Sequence, residues 1–217
     1  GGVLSYEITR QLQEMGESVN TILMLDSPDK LDVFIPSEKS MLLMSVNMLL
    51  ISQFYKKEPE KLEQRLINRD EVNLNVENTQ FLKDLIALGK KRGSLTTEEN
   101  IETMILKNIE LVKNYEEDKY HILPLSDSES VTCHYFRNKS GLFLGELKPY
   151  FLIHQDDHML DNRDKKKYWE GWEKQLTNFH ITNVDSSNHM TMLIESKAYE
   201  QIFQFCKTFY SDPKQVV

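Results

Sequence analysis

Residues Val19 to Leu25 read Val-Asn-Thr-Ile-Leu-Met-Leu, a short and almost unbroken apolar run. Nothing else in the chain limits the fold as much. The run is too short for a typical helix. Its lack of polar alternation suits a strand buried on both faces, as inside a parallel sheet. Parallel strands need crossover connections, and a helix is the usual one. The preceding residues supply it: Leu4, Ile8 and Leu12 recur at helical spacing, Met15 continues the stripe, and Gly16 tolerates the left-handed conformation that ends helices. Asp26-Ser27-Pro28 then closes the run as a loop. Helix, turn, buried strand and loop make the second half of a βαβ unit, so the expected class is α/β.

The middle of the chain changes character. Ser37-Glu38 can start a helix carrying Met41, Leu42, Leu43, Met44, Val46, Met48, Leu50, Ile51 and Phe54. Shorter helical patterns run from Pro59 to Ile67 and from Asn78 to Leu88, and another follows Thr97 and Asn100. This reads as four helices and almost no strand, with no fixed repeat period. Strand composition returns at Val131 to Phe136, before the turn Arg137-Asn138-Lys139-Ser140-Gly141, and again at Phe179 to Val184. Tyr168, Trp169, Trp172 and Leu176 recur at helical spacing, and Ala198 to Phe209 forms a last amphipathic helix. The division that follows is 1–36 core, 37–125 helical insertion and 126–217 core.

Composition removes several function classes. The 34 acidic residues outnumber the 26 Lys and Arg, giving a net charge of -8, so nucleic acid is not an expected partner. No apolar run is long enough to span a membrane; the longest, Met41 to Ile51, is interrupted by Ser45 and Asn47. The 2 cysteines, Cys133 and Cys206, stand far apart, which fits a reducing, cytoplasmic setting and excludes a zinc ribbon or disulfide scaffold. Two histidines, His154 and His158, have i,i+4 spacing, but no zincin glutamate follows the first, and no metal site is expected.

Chemistry is expected where loops leave the carboxyl ends of parallel strands. Asp26 follows the first buried strand and His189 lies in the loop after the last. A carboxylate can orient an imidazole, and the imidazole can take a nucleophile's proton. Asp29, Asp32, Asp156 and Asp185 are rivals for the acid. The serine nearest the chain's start, Ser5, falls inside the first helix without a glycine two residues before it, which does not suit a nucleophile.

Gly1-Gly2-Val-Leu-Ser-Tyr-Glu-Ile, Arg10-Gln11-Leu12, Leu25-Asp26-Ser27 and Asn188-His189-Met-Thr-Met-Leu193 together resemble the thioesterase domains of nonribosomal peptide and polyketide synthases. The stretch Tyr168 to Leu176 looks most like terminal domains of bacterial trans-acyltransferase systems. The resemblance implies an α/β-hydrolase fold, here partial and lacking the N-terminal strands, with residues 37–125 as the lid. It implies that Gly1 and Gly2 belong to the nucleophile elbow, that the serine lies two residues before Gly1 and outside this sequence, and that Asp26 and His189 are the triad acid and base. Such a chain alone is expected to be inactive, and a core with only the last three strands is expected not to stand by itself.

The implied activity is release of an acyl or peptidyl chain from the phosphopantetheine thioester of a carrier protein, by hydrolysis or macrocyclisation. No bound cofactor is expected, and the partner is an acyl or peptidyl carrier protein. Met41, Met44 and Met48 could line a lid channel for acyl chains, because methionine repacks around varied shapes; a plain helix core is the competing reading. Lys90-Lys91-Arg92 and Lys165-Lys166-Lys167 could face an acidic carrier. Two alternatives stay open: a type II editing thioesterase and a non-catalytic carrier-docking module. The family often places the editing enzyme's acid after the following strand, near Asn138 here, which favours the terminal-domain reading.

Overall fold

The computed structural model describes residues 1–29, 37–54, 61–93, 100–114, 121–153 and 169–210. These fall into two compact units. The first comprises Gly1–Val33, Asp118–Phe143 and Met159–Val217, and the second Phe34–Glu117 and Leu144–His158. The helical unit thus takes Leu144–His158, which the sequence division left with residues 126–217.

The first unit is mixed α/β with a small parallel sheet. Its elements are α1 (Gly2–Glu14), β1 (Thr21–Leu25), β2 (Thr132–Asn138), a short α6 (Glu170–Gln175), β3 (Asn178–Val184) and α7 (Ser196–Tyr210); α2 to α5 lie in the helical unit. The strand order is β1-β2-β3, with Thr21 beside Thr132 and Thr132 beside Asn178, both pairs parallel. Alternate residues of each strand feed opposite faces. Ile22, Met24, Cys133 and Tyr135 pack with Tyr6, Trp169, Trp172 and Leu176 on one face. Leu23, Leu25 and Phe136 pack with Val184, Met192, Ala198 and Ile202 on the other. On β1 the first face is buried and the second, with Leu23 and Leu25, is half-buried, which accounts for its mostly apolar composition.

The expected helix before β1 is present, but it presents a different face to the core. Leu4 is 65% exposed, Ile8 50% and Met15 76%, whereas Gly2, Tyr6 and Thr9 are buried. Tyr6 decides the orientation. Its ring lies 5.4 Å from that of Trp172, and its hydroxyl donates to the Leu123 carbonyl (3.0 Å). A count of aliphatic residues passes over a tyrosine whose body is apolar and whose tip finds a partner.

Gly2 sets how closely α1 approaches the loop after β1. Its N–H donates to Ser27 Oγ (2.8 Å), and a Cβ there would meet Ser27 Oγ at 2.4 Å and Ser27 Cβ at 2.7 Å. Gly2→Ala is expected to destabilise the intact polypeptide by about 1–3 kcal/mol, the usual cost of overpacking. A thermal melt at or above the wild-type midpoint would show that this approach is not tight.

The second unit contains α2 (Glu38–Phe54), α3 (Leu62–Arg65), α4 (Asn78–Lys91) and α5 (Ile101–Lys113), with 3-10 turns at Arg69–Glu71 and Gly145–Tyr150. Helix α2 is apolar on nearly all sides and buries Leu42, Leu43, Val46 and Leu50 completely, as the central helix of a bundle does. Asn47, also fully buried, has its amide satisfied: Nδ2 donates to the carbonyls of Ile67 (2.8 Å) and Tyr150 (2.5 Å), and Oδ1 accepts from Ile67 N–H (2.8 Å). Among the described residues, no helix is long and apolar enough to cross a membrane.

Candidate active site

Three loops meet at the carboxyl edge of the sheet, where ligands of open α/β sheets are expected. Asp26 follows β1, Asn138 ends β2, and His189 follows β3. The His189 Nδ1 atom lies 3.0 Å from Asp26 Oδ2. Asp26 is fully buried, while the His189 side chain is 27% exposed. A carboxylate only accepts, so in the neutral imidazole the proton sits on Nδ1 and the lone pair on Nε2.

Local bonds explain why Asp26 stays where it is. It has φ 46°, a left-handed conformation that aspartate tolerates better than most residues. Its N–H continues the β1–β2 ladder by donating to the Phe136 carbonyl (2.7 Å). The next carbonyl, that of Ser27, accepts from Tyr135 Oη–H (2.9 Å) and Trp172 Nε1–H (3.0 Å). The turn carrying the acid is therefore tied to both the central strand and the Trp172 helix.

The histidine loop is held as firmly. His189 N–H donates to the carbonyls of Leu142 and Phe143, both at 3.0 Å. The Phe143 ring stacks on the imidazole at 4.4 Å and 11°. Asn188, buried, accepts from Thr191 N–H at its side-chain oxygen (3.0 Å), and Ser186 Oγ–H donates to the Asn188 carbonyl (2.7 Å). Glu195 closes the far end by accepting from Ser187 N–H and Thr191 Oγ1–H.

Two of the rival acids are placed elsewhere. Asp29 accepts from Gly171 N–H at the start of α6 (2.5 Å), and Asp185 stands at the surface beside Lys139 (3.8 Å). Asp32, Asp156, His154, His158 and the Lys165–Lys167 cluster lie outside the described residues. Gly1 is exposed and its carbonyl accepts from Ser5 N–H and Ser5 Oγ–H, while Gly2 is buried as described. Burial pushes the Cys133 thiol up to about 12, so it is no nucleophile at neutral pH. In the helical unit, Met41 is buried, Met44 half-buried and Met48 exposed along α2. The Phe143 ring on His189 went unread from sequence, and Asn138 was read only as standing near the editing enzyme's acid position; its bond to Asp26 was hidden because Asn-Lys-Ser-Gly reads simply as a turn.

No protein-family model matches the chain. It is 37% identical over 214 residues to the polyketide synthase PksR of Bacillus subtilis (strain 168), a match that takes in 98% of this chain and 8% of PksR. Its fold is similar to that of the Vlm2 thioesterase domain, with TM-score 0.50 and 17% identity over 96% of this chain and 65% of that one. It is also similar to AB3403, a four-domain nonribosomal peptide synthetase, with TM-score 0.57 and 17% identity over 98% of this chain and 14% of that one. The chain therefore spans a small part of the synthases it matches. These likenesses fit a thioesterase-like domain of polyketide and nonribosomal peptide synthases.

Proposed function

We propose that the chain is the greater part of an α/β-hydrolase thioesterase that releases an acyl or peptidyl chain from a carrier protein, with Asp26 and His189 as two members of its triad. The observation that carries this is the 3.0 Å contact between the buried Asp26 carboxylate and His189 Nδ1 at the carboxyl edge of a parallel sheet. The synthase likeness supports the substrate class. The third member, a serine two residues before Gly1 in the elbow motif, comes from the resemblance at Gly1-Gly2.

In this reading the serine Oγ attacks the thioester carbonyl while His189 Nε2 takes its proton. Collapse of the tetrahedral intermediate breaks the C–S bond, and the same proton passes to the phosphopantetheine sulfur. Water, or a hydroxyl or amine of the chain itself, then attacks the acyl-enzyme as His189 again accepts a proton; the acyl–Oγ bond breaks and that proton returns to the serine Oγ. The products are an acid or a ring. Asp26 keeps the imidazole in the Nδ1–H tautomer and stabilises the imidazolium throughout. The helical unit serves as the lid, with Met41, Met44 and Met48 as its candidate channel residues.

The test is a fluorophosphonate probe applied to the intact polypeptide that includes the elbow. The expected result is covalent labelling that disappears when the elbow serine is replaced by alanine. An unlabelled wild type that still melts cooperatively would overturn the serine-hydrolase reading.

A further inference from the structure

We propose that Asn138 is a positioning residue that holds the acid and the base of this site in one bonded unit; the inference rests on the thioesterase reading above. Asn138 is fully buried at the end of β2, between the two loops that carry Asp26 and His189. Its Nδ2 group donates to Asp26 Oδ2 (3.1 Å), the same oxygen that His189 Nδ1 approaches, and to the Leu142 carbonyl (2.7 Å). The Leu142 carbonyl also accepts from His189 N–H. One side-chain amide thus reaches the carboxylate directly and the histidine backbone through one shared acceptor.

The remaining bonds fix the amide's orientation. Ser140 Oγ–H lies 2.5 Å from Asn138 Oδ1 and 2.7 Å from the Ser187 carbonyl in the histidine loop. Because both Nδ2 neighbours, Asp26 Oδ2 and the Leu142 carbonyl, are acceptors, an amide fits and a carboxylate does not. A carboxylate here would set acceptor against acceptor at Leu142 and place a second negative charge about 3 Å from Asp26, which an imidazolium offsets and a neutral imidazole does not.

Asn138→Asp separates positioning from mere packing. Extra negative charge beside the pair favours the imidazolium, and Asp26 is the ionisable group bonded to the His189 ring among the described residues. In the intact polypeptide the acidic limb of kcat/KM for an acyl-pantetheine thioester is expected to move up by about one pH unit. Turnover at neutral pH should fall about tenfold or more, with KM little changed. A purely structural role would lower the active fraction and leave the limb where it was.

His189→Ala is measured alongside. If His189→Ala is inactive and the limb of Asn138→Asp is unmoved, the Asn138 inference is overturned and the thioesterase reading stands. If His189→Ala retains wild-type turnover, the thioesterase reading itself fails, and the inference with it. Should Asn138→Asp fail to fold, Ser140→Ala decides, because its side chain is at the surface: a several-fold fall in kcat at constant KM supports positioning, and wild-type kcat overturns it.

Discussion

His189→Ala is expected to lower thioester release by the intact polypeptide by about 10⁴-fold or more, because the step that needs a base then has none. The loss should fall on kcat, since the imidazole acts on the proton and not on the bulk of the substrate. The fold should persist. The ring is 27% exposed, and the loop is held by bonds that do not use it: the His189 N–H on Leu142 and Phe143, the Asn188 amide, and the Glu195 carboxylate. Phe143 loses its stacking partner, which is worth about 0.5–1.5 kcal/mol. Product formation from an acyl-pantetheine thioester, read beside a thermal melt, checks both halves. Turnover within tenfold of wild type would remove His189 from the chemistry.

Trp172→Ala should be the most damaging change away from the acid and histidine. The side chain is fully buried against Tyr6 and the Met24–Tyr135 face of the sheet, and such truncations cost about 3–5 kcal/mol. For a chain of this size that corresponds to a fall in Tm of roughly 6–20 °C. The loss has a second part. Trp172 Nε1–H donates to the Ser27 carbonyl, next to Asp26, so its removal also loosens the turn that carries the acid. Trp172→Phe keeps most of the apolar area and forfeits that bond, worth about 1 kcal/mol. It should therefore melt close to wild type. Equal destabilisation by both variants would place the weight on the hydrogen bond and contradict the packing account.

The placement of Asp26 and His189 at strand ends was legible because each stands in a loop after a segment of strand composition, and that signal depends on neither helix orientation nor side-chain partners. The parallel arrangement was legible from the apolar run itself: Ile22 to Leu25 feed opposite faces, and each face packs against core side chains. The outward turn of Leu4, Ile8 and Met15 was not. Periodicity fixes that a helix is amphipathic, but Tyr6 and Gly2 settle which side faces the sheet, through a ring contact and a close approach that no aliphatic count weighs. The role of Asn138 was hidden differently. A buried amide joined to residues far along the chain leaves no local pattern, and Asn-Lys-Ser-Gly looks like any other turn. Asn47 is similar: within the sequence it interrupts an apolar run, and in the fold it binds Ile67 and Tyr150.

The central claim is that Asp26 acts through His189, and a double-mutant cycle on kcat/KM in the intact polypeptide tests it most directly. Asp26→Asn, His189→Ala and the double variant are compared with wild type on one thioester substrate. If the carboxylate works by orienting and charge-stabilising the imidazole, removing it after the imidazole is gone has little further effect. The double variant should then be about as slow as His189→Ala alone. Losses that simply multiply would contradict the account, because they would mean that Asp26 and His189 act independently.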